Sequence, residues 1–335
     1  MNKRVVRPWF LIALAVGCSG DTQAPPLLDT GWFTSEDAPG CPHTVVSTSP
    51  EAGADDWYYR DAPRIFTSTV DPAGYEATLA DTEGRLVPTT PVWSAESSTL
   101  TLQPDGPLPP DTDFEIVVQD CERTTTVPFR TSELGLPLTP AGRDLAGRTY
   151  RLDLAGASWR RPEGLGPIIA SFLTEPILLG VVYVDAERID LLGAPSSVDD
   201  LGVVSQADEP TWDFPIATFD LDDPTFSVSA DAIELLVAGD DSTTTIPVTD
   251  FALSGTLSAN GTRLGGGGLA GVADTRDIAA GLLGSENAIC ELAETSFQLT
   301  CSPCPSDGEA FCLDLEAESV RGTEQQGLTL VTIAP

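Results

Sequence analysis

Period-two alternation, cut short by turn residues again and again, is the feature that most constrains this chain. In Tyr75-Glu76-Ala77-Thr78-Leu79-Ala80 every second side chain is apolar. Leu100 and Leu102 alternate with Thr99 and Thr101, and Phe114, Ile116 and Val118 share one face of a further segment. Val45-Val46-Ser47-Thr48, Arg64 to Val70, Val127 and Phe129 complete the set, with Ser49-Pro50, Asp71-Pro72-Ala73, Asp81-Thr82-Glu83-Gly84 and Leu108-Pro109-Pro110-Asp111 between them. About seven short strands over roughly ninety residues is the spacing of a β-sandwich. The alternation dictates one buried and one solvated face per sheet.

The same pattern continues beyond a Pro/Gly-bearing stretch at 134–146, expected to be a linker. From 147 a second, larger domain is expected, antiparallel β with one or two short helices. Thr149 to Leu154 opens it. Leu165, Ile168, Ile169 and Phe172 recur at helical spacing, predicting a helix across 164–173. Ile177 to Val184 is a continuous apolar run, expected to be a strand buried on both faces. Further strands are predicted near 213–220, 225–229, 232–238 and 243–249. Asn260-Gly261 predicts a two-residue type I′ hairpin. Its ladder would pair residues whose numbers sum to 521, setting Leu257 against Leu264, Leu253 against Gly268 and Phe251 against Ala270. The apolar face would then meet bare glycine and alanine backbone.

Residues 1–17 have the three parts of an export signal, and one is expected there. Lys3, Arg4 and Arg7 are its positive region, Phe10 to Val16 its short apolar core. That core is too short to cross a bilayer of roughly 30 Å as a helix. Ala15-Val16-Gly17-Cys18 resembles a bacterial lipobox, although Ala15 stands where leucine is preferred, and Ala13-Leu14-Ala15 also fits ordinary cleavage. The resemblance implies removal of residues 1–17 and diacylation of Cys18. Ser19 is not the aspartate that retains lipoproteins in the inner membrane of enteric bacteria, so outer-membrane or cell-surface placement is expected. Residues 18–44, broken by Pro25-Pro26, Pro39-Gly40 and Pro42, would be a flexible tether.

Cysteine parity agrees. Seven cysteines become six without Cys18, an even number for an oxidising compartment. Cys41 and Cys121 are expected to bridge across the first domain. Cys290, Cys301, Cys304 and Cys312 form the densest cluster. Cys301-Ser302-Pro303-Cys304 also fits a redox pair or half a zinc site, but a zinc ribbon needs a second knuckle. Two structural disulfides are expected. Three pairings are open, and Cys290–Cys301 with Cys304–Cys312 is favoured by the small loop Pro305-Ser306-Asp307-Gly308.

Charge narrows the partners. The formal net charge is −34, and loss of Lys3, Arg4 and Arg7 takes the basic count from 17 to 14 against 51 acidic residues, a net of −37. Such a surface repels nucleic acid. Asp55-Asp56, Asp199-Asp200, Asp222-Asp223 and Asp240-Asp241 could ligate Ca²⁺ through oxygen, but none has EF-hand spacing, and solvated turns account for them. No cofactor is expected.

Catalytic motifs fail on context. Asp29-Thr30-Gly31 matches one half of an aspartic protease site, but has no second copy. Gly266-x-Gly268-x-x-Gly271 matches a dinucleotide fingerprint, but inside a predicted hairpin rather than at a strand-to-helix turn. His43 is the single histidine, a loop residue at a domain edge.

Two resemblances complete the reading. Ser49-Pro50-x-x-Gly53, Ala62-Pro63-Arg64-Ile65-Phe66-Thr67 and Val70-Asp71-Pro72-Ala73 resemble the bacterial Ig-like domain of surface-layer (SbsA-type) proteins. So do Leu100-Thr101-Leu102-Gln103-Pro104 and Pro107 to Ile116. This implies that 45–133 is a spacer or adhesive module without catalytic residues. Residues 147–335 are similar in style to C-terminal domains of uncharacterised lipoproteins of myxobacterium-like bacteria. The expectation is a non-enzymatic surface lipoprotein whose stalk presents a β-rich domain to a protein or surface polymer. One alternative is a carrier holding an apolar ligand between 165–185 and the glycine-faced strand. The other is a carboxylate hydrolase.

Overall fold

The computed structural model describes residues 44–68, 74–95, 97–120, 123–164, 168, 176–199, 201–238 and 243–334. The expected export signal, Cys18, the expected tether up to His43, Asp29-Thr30-Gly31, Cys41, Cys121, Asp240-Asp241 and most of the predicted 164–173 helix lie outside them. The described chain is mainly β and runs as one compact unit from His43.

The first domain is two packed sheets. Its strands are β1 (Val45–Ser49), β2 (Ala54–Trp57), β3 (Arg64–Thr67), β4 (Tyr75–Asp81), β5 (Leu86–Val87), β6 (Thr89–Trp93), β7 (Thr99–Pro104), β8 (Asp113–Asp120) and β9 (Arg123–Thr131). One sheet has the order β1-β3-β7-β6 and the other β2-β9-β8-β4-β5. The alternation behaves as predicted: Phe114, Ile116, Val118 and Asp120 of β8 are buried and their neighbours are not. Ile65, Leu79, Leu100, Leu102, Ile116 and Phe129 fill the space between the sheets. Strand β2, which the sequence analysis passed over, pairs in parallel with β9.

The second domain is one large sheet wrapped on one core. Its strands are β10 (Thr149–Asp153), β11 (Ser158–Arg161), β12 (Ile177–Val184), β13 (Arg188–Val198), β14 (Val204–Gln206), β15 (Trp212–Asp213), β16 (Ala217–Thr218), β17 (Thr225–Ala238), β18 (Thr243–Leu257), β19 (Arg263–Asp274) and β20 (Cys312–Glu324). The order is β14-β13-β12-β10-β20-β19-β18-β17, with β11 added on β20 and β15 and β16 on β13. Strands β15 and β16 also pack on β17, drawing the two ends of the sheet together. The predicted pieces at 225–229 and 232–238 are one 14-residue strand. In β12 burial is complete only to Val181; Val182 and Tyr183 face outward. Tyr150, Leu152, Leu179, Ile189, Phe214 and Phe251 are among the side chains filling the core, which Leu138 and Leu145 of the expected linker also enter.

The hairpin at 260–261 differs from its prediction in two respects. Gly261 alone has positive φ, +69°, so the turn is not type I′. Asn260 instead uses its side chain: Oδ1 accepts from Ser258 Oγ and from both N–H and Oγ1 of Thr262. The 521 register holds at Leu257–Leu264 and Thr256–Gly265. A bulge then shifts it, pairing Leu253 with Leu269 and Ala252 with Ala270, before a second restores it at Thr249–Val272. An extra residue on one strand has this effect on any ladder.

Two α-helices stand among the described residues, α1 (Arg276–Leu283) and α2 (Ala288–Phe297). Gly284 in the left-handed region ends α1, and Gln298 ends α2.

Candidate functional site

The glycines of β19 receive the first domain. A Cβ on Gly265 would stand 2.5 Å from Leu134 Cδ1, and one on Gly266 would overlap the ring of Tyr58. Gly266 also has φ +55°, a conformation glycine takes without steric cost. Tyr58 Oη and Thr256 Oγ1 are 2.7 Å apart. Leu134 forms an isolated bridge with Ser258, and Gly135 N donates to Leu257 O. The bare backbone foreseen on this strand therefore serves an internal junction, while the second domain's own side chains fill its core.

Tyr59 is the anchor of this junction. Its ring is 3% exposed. Its hydroxyl donates to Asp223 Oδ1 at 2.7 Å and accepts from Arg60 Nε at 2.8 Å. Arg60 also forms an ion pair with Asp223. Burial raises the pKa of Tyr58 and Tyr59, so Tyr59 stays a phenol able to donate.

Between the domains lies a polar cleft of about 730 Å³. Asp55, Asp56, Asp61, Glu133, Arg263 and Arg321 are among its walls. Arg130, also in the wall, is held by Asp111 and Asp113 at 2.9 and 2.8 Å. Arg263 stands 3.7 Å from Glu133. Burial, then the charge of Glu318, raises the Asp61 carboxyl above the usual carboxylate range. The lining offers hydrogen bonds and charges of both signs, but no imidazole or thiol.

The predicted site residues separate. Cys290 is bonded to Cys301 and Cys304 to Cys312, the pairing favoured from sequence. Asp274 lies with Cys304 and Cys312 in a group tight enough to hold a metal ion. However, both sulfurs are spent on the disulfide, and Asp274 forms an ion pair with Arg276. Gly266, Gly268 and Gly271 lie inside antiparallel β19, and the following helix begins only at Arg276, so they do not form the strand-to-helix turn that would hold a phosphate. Of the acidic pairs, Asp199 Oδ1 accepts from the N–H of Leu201 and of Val203, Asp222 approaches Arg143 at 3.7 Å and Asp223 pairs with Arg60, while Asp55 and Asp56 lie in β2 on the wall of the cleft.

Sequence reasoning missed Tyr58 and Tyr59, and read Asp223 only as half of the acidic pair Asp222-Asp223. A signal existed, since two of the five tyrosines stand side by side after Trp57. Consecutive aromatics cannot all face one core from a strand.

Residues 40–154 match the family model of the bacterial Ig-like domain. No curated protein matches the chain. Among solved structures, the S-layer protein rSbsC(31-844) is similar at 9% identity and a TM-score of 0.20, over 88% of this chain and 55% of that one. Domains 1–6 of surface layer protein SbsC are similar at 9% identity and a TM-score of 0.19, with the same coverage. The chain thus spans about half the length of the structures it resembles.

Proposed function

We propose that this chain is a non-enzymatic, lipid-anchored protein of the bacterial cell surface, in which an Ig-like module holds a larger β domain away from the membrane. The observation that carries this reading is the bacterial Ig-like match over residues 40–154. The interdomain junction supports it: Tyr58, Tyr59 and Arg60 lock onto Gly266, Thr256 and Asp223, so the module acts as a rigid spacer. Among the described residues no helix is long and apolar enough to cross a membrane. Attachment is assigned to diacylated Cys18 and placed in the outer membrane. Two disulfides suit an exported protein. Asp199, Asp222 and Asp223, which could have worked in pairs, are held in a turn or in ion pairs, which favours presentation over hydrolysis. The partner is a protein or surface polymer; nucleic acid is disfavoured by the net charge of −34.

Membrane fractionation of the natural chain and of Cys18→Ala tests the reading. The natural chain should sediment with outer membranes and the variant should be released, because a diacylated cysteine supplies most of the membrane affinity. Retention of Cys18→Ala in the membrane fraction overturns the anchor. Measured hydrolase activity on a surface polymer overturns the non-enzymatic role.

A further inference from the structure

Residues 328–334 form an extended strap on the second domain that belongs to none of its strands. Its main chain is held at alternate residues. Gln206 forms a two-point contact with Val331, its Nε2 donating to the carbonyl at 2.7 Å and its Oε1 accepting the N–H at 2.9 Å. Two residues on, Ile333 N donates to Thr211 Oγ1 at 3.1 Å and Thr211 N donates to Ile333 O at 3.0 Å. Thr329 Oγ1 donates to Gly147 O. A side-chain amide and a threonine thus do for the strap what a neighbouring strand does in β-augmentation.

One side chain gives the strap its register. Leu330 lies over Gly180, where a Cβ would stand 3.0 Å from Leu330 Cδ1. Gly180 is the only residue of Ile177–Val184 without a side chain, so β12 is bare where the leucine sits.

The strap is lightly covered. Val331 is 62% exposed, and Leu328, Leu330 and Ile333 are only half-buried. Gly327, just before it, has φ +80° and open space around it, so the turn that leads into the strap is not packed against the domain. Leu328-Thr329-Leu330-Val331-Thr332-Ile333-Ala334 carries no charge in a chain with 51 acidic residues. Four of the seven residues are β-branched, two more are leucine, and none is proline. Uncharged, proline-free sequences of high β propensity pair readily with other chains.

We propose that this seat is an exchange site, which takes the 328–334 segment of a second copy of the chain in place of its own. The occupant is a second copy because the seat reads backbone at residues 331 and 333 and a leucine at 330. The same segment from another molecule satisfies all three contacts without any new one. Exchange of an identical element is a low-cost route to a dimer. In dilute solution the strap remains in its own seat, because a tethered segment has an effective concentration on the order of millimolar.

That competition dictates a complementation test with full-length chains. The donor carries Gly180→Val and Gln206→Ala, which fill and disarm its own seat while leaving its strap intact. The acceptor has residues 328–334 replaced by glycine and serine, leaving an empty seat. Light scattering and sedimentation should show each alone as a monomer and the mixture as a one-to-one dimer. A mixture that remains monomeric, or a donor that dimerises alone, overturns the proposal. Near-ultraviolet circular dichroism checks the folding of both. If the donor is misfolded, a labelled peptide of residues 325–334 is titrated into the acceptor instead. The peptide should bind, and Leu330→Asp should weaken it roughly tenfold or more, about 1.4 kcal/mol. Absent binding, or equal binding by the Leu330→Asp peptide, overturns the proposal as well.

Discussion

Tyr58 of the first domain occupies the space that a side chain on Gly266 of the second would need. Only glycine both permits this approach and takes the φ of +55° found there without strain. A backbone position in one domain is therefore matched to an aromatic ring in the other. The two hydrophobic cores are separate clusters, and this polar and glycine-lined seam is what couples them.

Gly266→Ala should weaken the coupling. The added methyl must displace the Tyr58 ring, and overpacking of this kind costs about 1–3 kcal/mol. By calorimetry the natural chain should melt in one transition, and in the variant this should broaden or divide into two. Gly266→Ala combined with Tyr58→Ala should recover the part of the loss due to overlap, leaving the backbone strain. An unchanged melt in the single variant would show that the seam does not couple the cores.

Removing the carboxylate of Asp223 should act on the same seam by another route. Asp223→Ala leaves the buried Tyr59 hydroxyl without its acceptor and Arg60 without its counter-ion. Stranding a buried polar group costs roughly 1–3 kcal/mol. Tyr59→Phe, which removes the donor instead, should cost less. The ranking of the two variants by thermal melt checks the assignment of Tyr59 as donor.

Most of the first domain was legible because its core residues alternate strictly; Phe114, Ile116 and Val118 disclose their strand unaided. Strand β2 was not, since Ala54-Asp55-Asp56-Trp57 has no residue fully buried and its acidic pair looks like a turn. In the second domain the hairpin at 260–261 was legible and its register was not, because bulges leave no mark in the apolar pattern. The bare strand β19 was legible as a surface for close approach. Its occupant was not, since Tyr58 lies 208 positions before Gly266 and no local pattern joins them. Three cysteine pairings were open from the sequence; the one favoured for its small loop at 305–308 is the one found, with separations of 11 and 8 residues.

The Cys-rich end should be sensitive to acid. Arg276 pairs with Asp274 and with Asp307. Its guanidinium holds the Asp274 carboxyl below the usual carboxylate range; at Asp307 the Glu309 N–H contributes first and Arg276 second. A carboxylate with a depressed folded pKa contributes stability above its unfolded value, near 3.9, and loses it as pH falls through the folded value. Arg276→Gln should therefore lower the melting temperature at pH 7, with the deficit shrinking below about pH 4. A deficit independent of pH would assign the role of Arg276 to its packing on Phe311 instead.

Gly261 and Asn260 should respond to substitution in opposite ways. Residue 261 needs φ of +69°, and a Cβ there would stand 2.7 Å from Leu145 Cδ2 and 3.0 Å from Gly142 O. Its carbonyl also accepts from the buried Tyr150 hydroxyl at 2.6 Å, so the backbone cannot rotate freely to relieve the clash. Gly261→Val should destabilise the second domain by more than about 1 kcal/mol, because a β-branched residue at positive φ is a genuine outlier. Asn260 acts through Oδ1 as an acceptor for Ser258 and Thr262. An aspartate keeps that oxygen, so Asn260→Asp should cost little, whereas Asn260→Ala strands the Thr262 N–H and should cost more. Thermal melts of the three variants should rank Gly261→Val lowest and Asn260→Asp nearest the natural chain. Equal tolerance of valine and aspartate would refute the account of this turn.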